Sequence, residues 1–402
     1  MNSNLAKLQS YPFEKLAKLT QEVQAPAGRK AIVMSMGEPR QSAPEFVGKE
    51  LCNNLTGLSK YPATQGSVEL RSAIAQWLTQ RFFLAPGSID PEHNVLPVNG
   101  SREALFAFAQ CVVDSKSEPL VLMPNPFYQI YEGAALLAGA QPWYVNATEQ
   151  SKLVPDFASV PNDVWRRCQV LYVCSPYNPT GAVLGIETLT SLIEIADRHD
   201  FVIASDECYS EIYFDEKRAP AGLLEAAHRM GRDKYERCIA FNSLSKRSSV
   251  PGLRSGFVAG DAKIIERFRL YRTYHGCAMS PPVQAASTKA WQDEQHVVET
   301  RQAYRQKFQA IHDILSGAVK LQMPDGGFFL WLRTGIDDKE FARELYGKYN
   351  LTVLPGSFLS RAAQGVDPGS GYVRIAVVGS LEECKEAAWR LKEFLSEIRV
   401  SR

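Results

Sequence analysis

Between residues 94 and 260, six short runs, NVLPV, PLVLM, QVLYVC, FVIAS, CIAF and GFVAG, are almost free of polar side chains. A strand with one face in water alternates polar and apolar residues, so runs this apolar predict strands buried on both faces. The segments between them, REALFAFAQCVV, YEGAALLAGA and IETLTSLIEIADRH, repeat their apolar positions every three or four residues and predict helices. Parallel strands need a crossover, and a helix is its usual form, so the pattern predicts an α/β fold with a mostly parallel sheet.

The ends of the chain read differently. Beyond residue 285 the sequence predicts a long helix over HVVETRQAYRQKFQAIHDILSGA, a hairpin over VKLQMPDGGFFLWLR, a strand at YVRIAVV and a final helix that Ser380 and Glu383 would open as a capping box. The domain organisation expected is an N-terminal segment, 1–35, packing on a smaller C-terminal α+β domain, 286–402, with a large domain at 36–285. A chain of 402 residues has the length for this.

Composition removes several classes of function. With 45 Lys+Arg against 44 Asp+Glu the formal net charge is +1, which points away from nucleic acid or an acidic membrane as partner. A neutral total can still hide a cationic cleft. The eight cysteines form no CxxC and the six histidines no HExxH, so neither a disulfide framework nor a locally spaced metal site is expected. No run approaches 18 apolar residues and no signal peptide opens the chain, which predicts a cytoplasmic protein with reduced thiols.

Parallel α/β sheets carry their chemistry in the loops past the C-terminal ends of their strands. Four such loops are rich in functional groups. Asn99-Gly100-Ser101-Arg102 opens a helix, where backbone N–H groups and a hydroxyl suit an anion; taken alone, Ser101 reads as a plain helix cap. Ser175 to Gly181, SPYNPTG, fixes Asn178 between two prolines, and in isolation it is a turn. Asp206 directly follows FVIAS, where a buried acid would need a cationic partner, with Tyr209 three residues on. Finally CIAF leads into Asn242-Ser243-Leu244-Ser245-Lys246 and then Pro251-Gly252-Leu253-Arg254, joining an amine that can form an imine to an anion clamp. A single lysine is ordinarily a surface residue; the ordered series of groups at successive strand ends is what sets this one apart.

SPYNPTG, SDECY and SLSKRSSVPGLRSG resemble the signatures of the class I aminotransferases, fold-type I enzymes that use pyridoxal phosphate, and the resemblance extends from Gly37-Glu38-Pro39 and Lys60-Tyr61-Pro62 to Tyr372-Val373-Arg374. It implies a seven-stranded sheet in the large domain. It also implies that Lys246 carries the cofactor as an imine and shuttles the proton, that Asp206 pairs with the pyridine nitrogen, and that Asn178 and Tyr209 bond the ring oxygen. Ser101, Ser243, Arg254 and the backbone near Gly100 and Arg102 would hold the phosphate, and Tyr128, with Phe127 as second choice, would stack on the ring. Arg374 would clamp the substrate α-carboxylate, assisted by the backbone near Gly37, while Tyr61 would reach the phosphate of a second subunit in a homodimer.

SYPFEKL, MGEPR, VNGSREALFAFAQ and PNPFYQIYEGAALLAGA are similar to the succinyldiaminopimelate aminotransferases of lysine biosynthesis. That likeness implies exchange of an amino group between N-succinyl-LL-2,6-diaminopimelate and 2-oxoglutarate, giving glutamate, with Arg40 or Arg102 meeting a distal carboxylate. Acetylornithine transamination, a fold-type I lyase reaction and a non-enzymatic ligand sensor are the alternatives; a sensor of that kind needs a DNA-binding module that the chain has no room for.

Overall fold

The computed structural model describes residues 1–400. Seven strands form the large sheet: β1 (Val95–Val98), β2 (Leu120–Asn125), β3 (Gln141–Asn146), β4 (Cys168–Cys174), β5 (Val202–Asp206), β6 (Cys238–Ser243) and β7 (Gly256–Gly260). Their spatial order is β1-β7-β6-β5-β4-β2-β3, and only β7 runs antiparallel to its neighbours. The fold is the α/β arrangement expected, with a mostly parallel seven-stranded sheet. β1, β2 and β6 are buried at every position, which their lack of polar alternation required.

One strand escaped the sequence reading. β3 lies at the sheet edge with most of its residues half-buried and carries Pro142, which an edge strand tolerates because the missing N–H can face away from the ladder. The expected hairpin over 319–333 is also corrected. Only β8 (Phe329–Arg333) is a strand, and its antiparallel partner is β9 (Tyr372–Ala376). The stretch before it is drawn away by the loops that follow β4 and β5: the Gly326 N–H donates to the Gly181 carbonyl at 3.0 Å and the Gly327 N–H to the Ile212 carbonyl at 2.7 Å. Backbone donors so committed cannot pair with a neighbouring strand.

Six helices matter below: α1 (Ser101–Val112), α2 (Gln129–Leu137), α3 (Leu244–Arg247), α4 (Pro281–Gln292), α5 (Gln295–Leu315) and α6 (Leu381–Val400). Half of the expected capping box exists at α6. Ser380 Oγ accepts the Glu383 N–H at 3.1 Å, but the Glu383 carboxylate turns to Arg40 at 2.9 Å instead of back to the cap. Ile32–Val33 pairs in parallel with Leu351–Thr352, joining the N-terminal segment to the C-terminal part. Among the described residues no helix is long and apolar enough to cross a membrane.

Candidate active site

Because β1, β2, β4, β5 and β6 run the same way, the loops that follow them meet at one edge of the sheet. β7 starts at that edge, so Arg254, two residues before it, belongs to the same place. A cleft of about 570 Å³ opens there, bounded on the far side by β8 and β9. Lys246, Asp206, Tyr209 and Asn178 line it; so do Ser101, Arg102 and Arg254; Gly37, Tyr128 and Arg374 complete the wall. Its cations are Arg102, Lys246, Arg254 and Arg374, against Glu38 and Asp206, so the near-zero total charge does conceal a positive cleft.

Asp206 is 5% exposed at the end of β5. Tyr131 donates its hydroxyl to Oδ2 at 2.6 Å and the Cys208 N–H reaches Oδ1 at 3.3 Å. Burial pushes the carboxyl above its ordinary range, with the Tyr131 and Cys208 hydrogen bonds acting the other way. Tyr131 is held from behind, stacked on Tyr172 at 4.7 Å. No salt bridge among the described residues includes Asp206; the opposite charge that acts on it is the Lys246 ammonium, which lowers its pKa less than the Tyr131 and Cys208 hydrogen bonds do.

Lys246 lies in the short helix α3 that follows β6 and donates from Nζ to the Gly37 carbonyl at 2.6 Å. Burial is the main cause that brings its pKa down to about 8; Cys208 and Glu38 act to raise it, and Arg374 and Arg102, more weakly, to lower it. Across the cleft Arg374, 5% exposed on β9, donates to Asn178 Oδ1 at 3.0 Å and to the Ser35 carbonyl at 2.8 Å, with its guanidinium 4.3 Å from the Phe329 ring centroid. Its Nε is buried without a partner, and burial brings its pKa down to about 10. A buried guanidinium whose partners are all neutral is a site waiting for an anion.

The loop after β1 and Arg254 form a second positive pocket. Gly100 has φ 84°, and a Cβ there would stand 2.2 Å from Arg254 Nη2, so glycine alone lets the guanidinium lie across the loop. Arg254 is itself in the left-handed region at φ 54° and donates to the Asn99 carbonyl at 3.1 Å. The first N–H groups of α1, Ser101 and Arg102, face outward without helical acceptors as at any helix start. Ser101 is not the cap; its Oγ accepts from Cys208 Sγ at 2.9 Å.

Several expected residues stand elsewhere. Ser243 is 1% exposed and caps α3, accepting from the Ser245 N–H and donating to the Ser255 carbonyl; Ser245 lines the cleft. Phe127 is core, stacked on Tyr144, whereas Tyr128 lines the cleft and accepts from Arg102 Nε at 2.6 Å. Arg40 is taken up by Glu383 and the Val33 carbonyl outside the cleft. Tyr61 points fully into solvent beside exposed Leu55 and Leu58. Tyr131, Cys208 and Tyr11 are members of the site that sequence reasoning missed; for Tyr131 the available signal was a second tyrosine one helical turn beyond Tyr128. Away from the cleft, Glu103, His275 and Cys277 bring ligand atoms within 4.8 Å of one another, but the Glu103 carboxylate is already held by Arg272 and the Asn99 N–H.

Comparison with known proteins gives a consistent result. The aminotransferase class I and II family matches residues 29–391. An LL-diaminopimelate aminotransferase of Dehalococcoides mccartyi is 29% identical over 405 aligned residues, 99% of each chain. An aminotransferase of Neisseria meningitidis superposes with a TM-score of 0.94 at 46% identity, over 99% of this chain and 100% of that one. A probable N-succinyldiaminopimelate aminotransferase from Thermus thermophilus superposes with a TM-score of 0.83 at 26% identity, covering 95% of this chain and 100% of the other.

Proposed function

Since the chain belongs to the class I and II aminotransferases and is a pyridoxal-phosphate-dependent transaminase, we propose that it exchanges the amino group of a diaminopimelate-type amino acid with 2-oxoglutarate. The observation that carries this reading is the closure of a buried carboxylate, a buried guanidinium and a lysine amine on one cleft, Asp206, Arg374 and Lys246. Each lacks the counter-charge or bond that one part of the bound pair would bring. The cofactor fits on the same ground: a pyridinium nitrogen answers Asp206, a phosphate answers Arg254 and the start of α1, and a carbonyl carbon answers Lys246.

Pyridoxal phosphate supplies an electron sink that lets the Cα–H bond of an amino acid break. In the proposed mechanism Lys246, whose pKa is lowered to about 8, would hold the cofactor through Nζ and would serve as the base that takes the substrate Cα proton. Asp206, fixed by the Tyr131 hydroxyl, would hold the ring nitrogen in its protonated form. Arg374 fixes the α-carboxylate, and its bond to Asn178 Oδ1 leaves the Asn178 amide nitrogen as a donor, beside Tyr209, for the ring oxygen. Gly100→Ala is expected to displace Arg254 and weaken cofactor affinity about tenfold or more, as strain of roughly 1–3 kcal/mol would do; titrating apoenzyme with pyridoxal phosphate measures it.

With Arg374, Arg254 and Asp206 so engaged, Arg102 and Glu38 remain in the cleft. The motifs and the name of the Thermus thermophilus protein support N-succinyl-LL-2,6-diaminopimelate as donor, its distal carboxylate meeting Arg102. Glu38 near Arg102 favours a second reading, free LL-diaminopimelate, whose far end carries both an ammonium and a carboxylate, the substrate named for the Dehalococcoides mccartyi relative. A donor panel with 2-oxoglutarate, containing both compounds, acetylornithine and aspartate, tests them. Highest kcat/KM for either diaminopimelate compound supports the substrate class and selects the form; preference for aspartate or acetylornithine overturns it and leaves transamination intact.

We further propose a homodimer in which the exposed segment with Leu55, Leu58 and Tyr61 lies at the contact and Tyr61 reaches the phosphate site of the other subunit. Light scattering at a mass twice 44.8 kDa is the expected result; a monomer that is fully active overturns it.

A further inference from the structure

The turn after Lys246 is tied down by contacts that the reaction itself does not use. Arg247 is 1% exposed, its guanidinium 4.9 Å from the Trp291 ring centroid and 5.5 Å from that of Trp77. It donates to the Ala290 carbonyl at 2.6 Å and the Asp293 carbonyl at 3.2 Å and pairs with Glu294, so it grips the corner between α4 and α5. Ser248 grips the same corner. Its Oγ stands 2.8 Å from His296 Nε2, in the first turn of α5, and His296 Nδ1 stands 2.5 Å from Asp293 Oδ1. A carboxylate on Nδ1 fixes the tautomer with Nδ1 protonated, so Nε2 accepts from the Ser248 hydroxyl while Ser248 accepts from Arg247 Nη1 at 3.3 Å.

Serine, histidine and aspartate in series look like an activated nucleophile, but this serine has 0% exposure and lines no cleft, so no substrate can reach it. The other groups facing the imidazole are the edge of the Phe46 ring, 5.5 Å away, Arg247 and Glu299. None of them offers a reaction. What the series does is mechanical. α5 runs on from the corner to pack against α6, so the corner joins the lysine-bearing turn to the part of the chain that carries Arg374.

We propose that His296 is a positioning residue for transamination: through Ser248 it holds the turn from Lys246 to Ser249 against the α4–α5 corner and sets where the Lys246 amine stands. The proposal rests on Lys246 being the cofactor-bearing amine. Three variants of the holoenzyme test it: His296→Ala, His296→Gln, whose Oε1 can stand where Nε2 stood and accept from the serine, and Ser248→Ala. In His296→Ala, kcat should fall about tenfold with KM within twofold, because a small misplacement of a reacting group is costly. The pH midpoint of the visible cofactor band should move by about half a unit or more, since that band reports the surroundings of the lysine nitrogen. His296→Gln should recover both, and Ser248→Ala should reproduce the loss. A His296→Ala protein that loses melting temperature alone, with kcat and band midpoint as in the wild type, overturns the proposal, as does a glutamine variant no better than alanine. If His296→Ala fails to fold, Ser248→Ala decides by the same two readings. Wild-type enzyme that retains no cofactor on Lys246 after borohydride reduction overturns the site reading itself, an outcome separate from any result with the variants.

Discussion

Lys246→Ala should abolish turnover, with a fall of about 1,000-fold or more in the half-reaction with glutamate, while the far-ultraviolet spectrum and the cooperative melt stay those of the wild type. Two roles are lost together, covalent attachment of the cofactor and proton transfer at Cα, and general acid–base catalysis alone accounts for roughly 100- to 10,000-fold. The fold should survive because the Nζ contact at 2.6 Å is with a single backbone carbonyl, that of Gly37, and the aliphatic stem is only half-buried. Borohydride reduction of the wild type followed by peptide mapping should place the pyridoxyl group on Lys246. Activity within tenfold of the wild type in Lys246→Ala, or an adduct on another lysine, would remove this residue from the centre of the mechanism.

A second large effect is expected at Arg374, with an unusual signature. Arg374→Ala should cost about 100- to 1,000-fold in kcat/KM for every α-amino acid, the loss of roughly 3–4 kcal/mol that a buried charge-assisted pair can carry. Arg374→Lys should recover little, because an ammonium cannot offer two parallel N–H groups to a carboxylate. Stability should move the other way. The guanidinium is buried with Nε unbonded, and its desolvation in the ligand-free protein is offset only by two hydrogen bonds to neutral partners and the Phe329 ring. The melting temperature of ligand-free Arg374→Ala should therefore equal or exceed that of the wild type, and a large drop would mean that the arginine is structural.

The residues legible in the sequence share a physical reason. Lys246, Asp206, Asn178 and Ser101 follow strands whose apolar runs leave little freedom in where they end, so the groups just past them could be assigned to one edge of the sheet. Arg254 was legible through the strand it precedes. Choices between near neighbours were harder, since they depend on which way a side chain turns. Ser243 was taken up as a helix cap and Ser245 faced the cleft; Phe127 turned into the core and Tyr128 outward. Tyr131 sits in a helix whose apolar stripe masks it, and its role appears only when β5 brings Asp206 beside it. The 319–333 hairpin failed because the loops that follow β4 and β5, distant in sequence, compete for the backbone donors of Gly326 and Gly327.

Asp206 and Arg374 have a consequence for the protein's lifetime in a cell. Both are buried groups outside any salt bridge among the described residues, so the native state is strengthened by whatever binds them, by mass action that grows with the free concentration of cofactor and substrate. Cells short of vitamin B6 would hold more of this chain in its weaker form, where the unfolded fraction and hence proteolysis rise. Its abundance would then follow the supply of cofactor, with no dedicated regulator needed to make it do so.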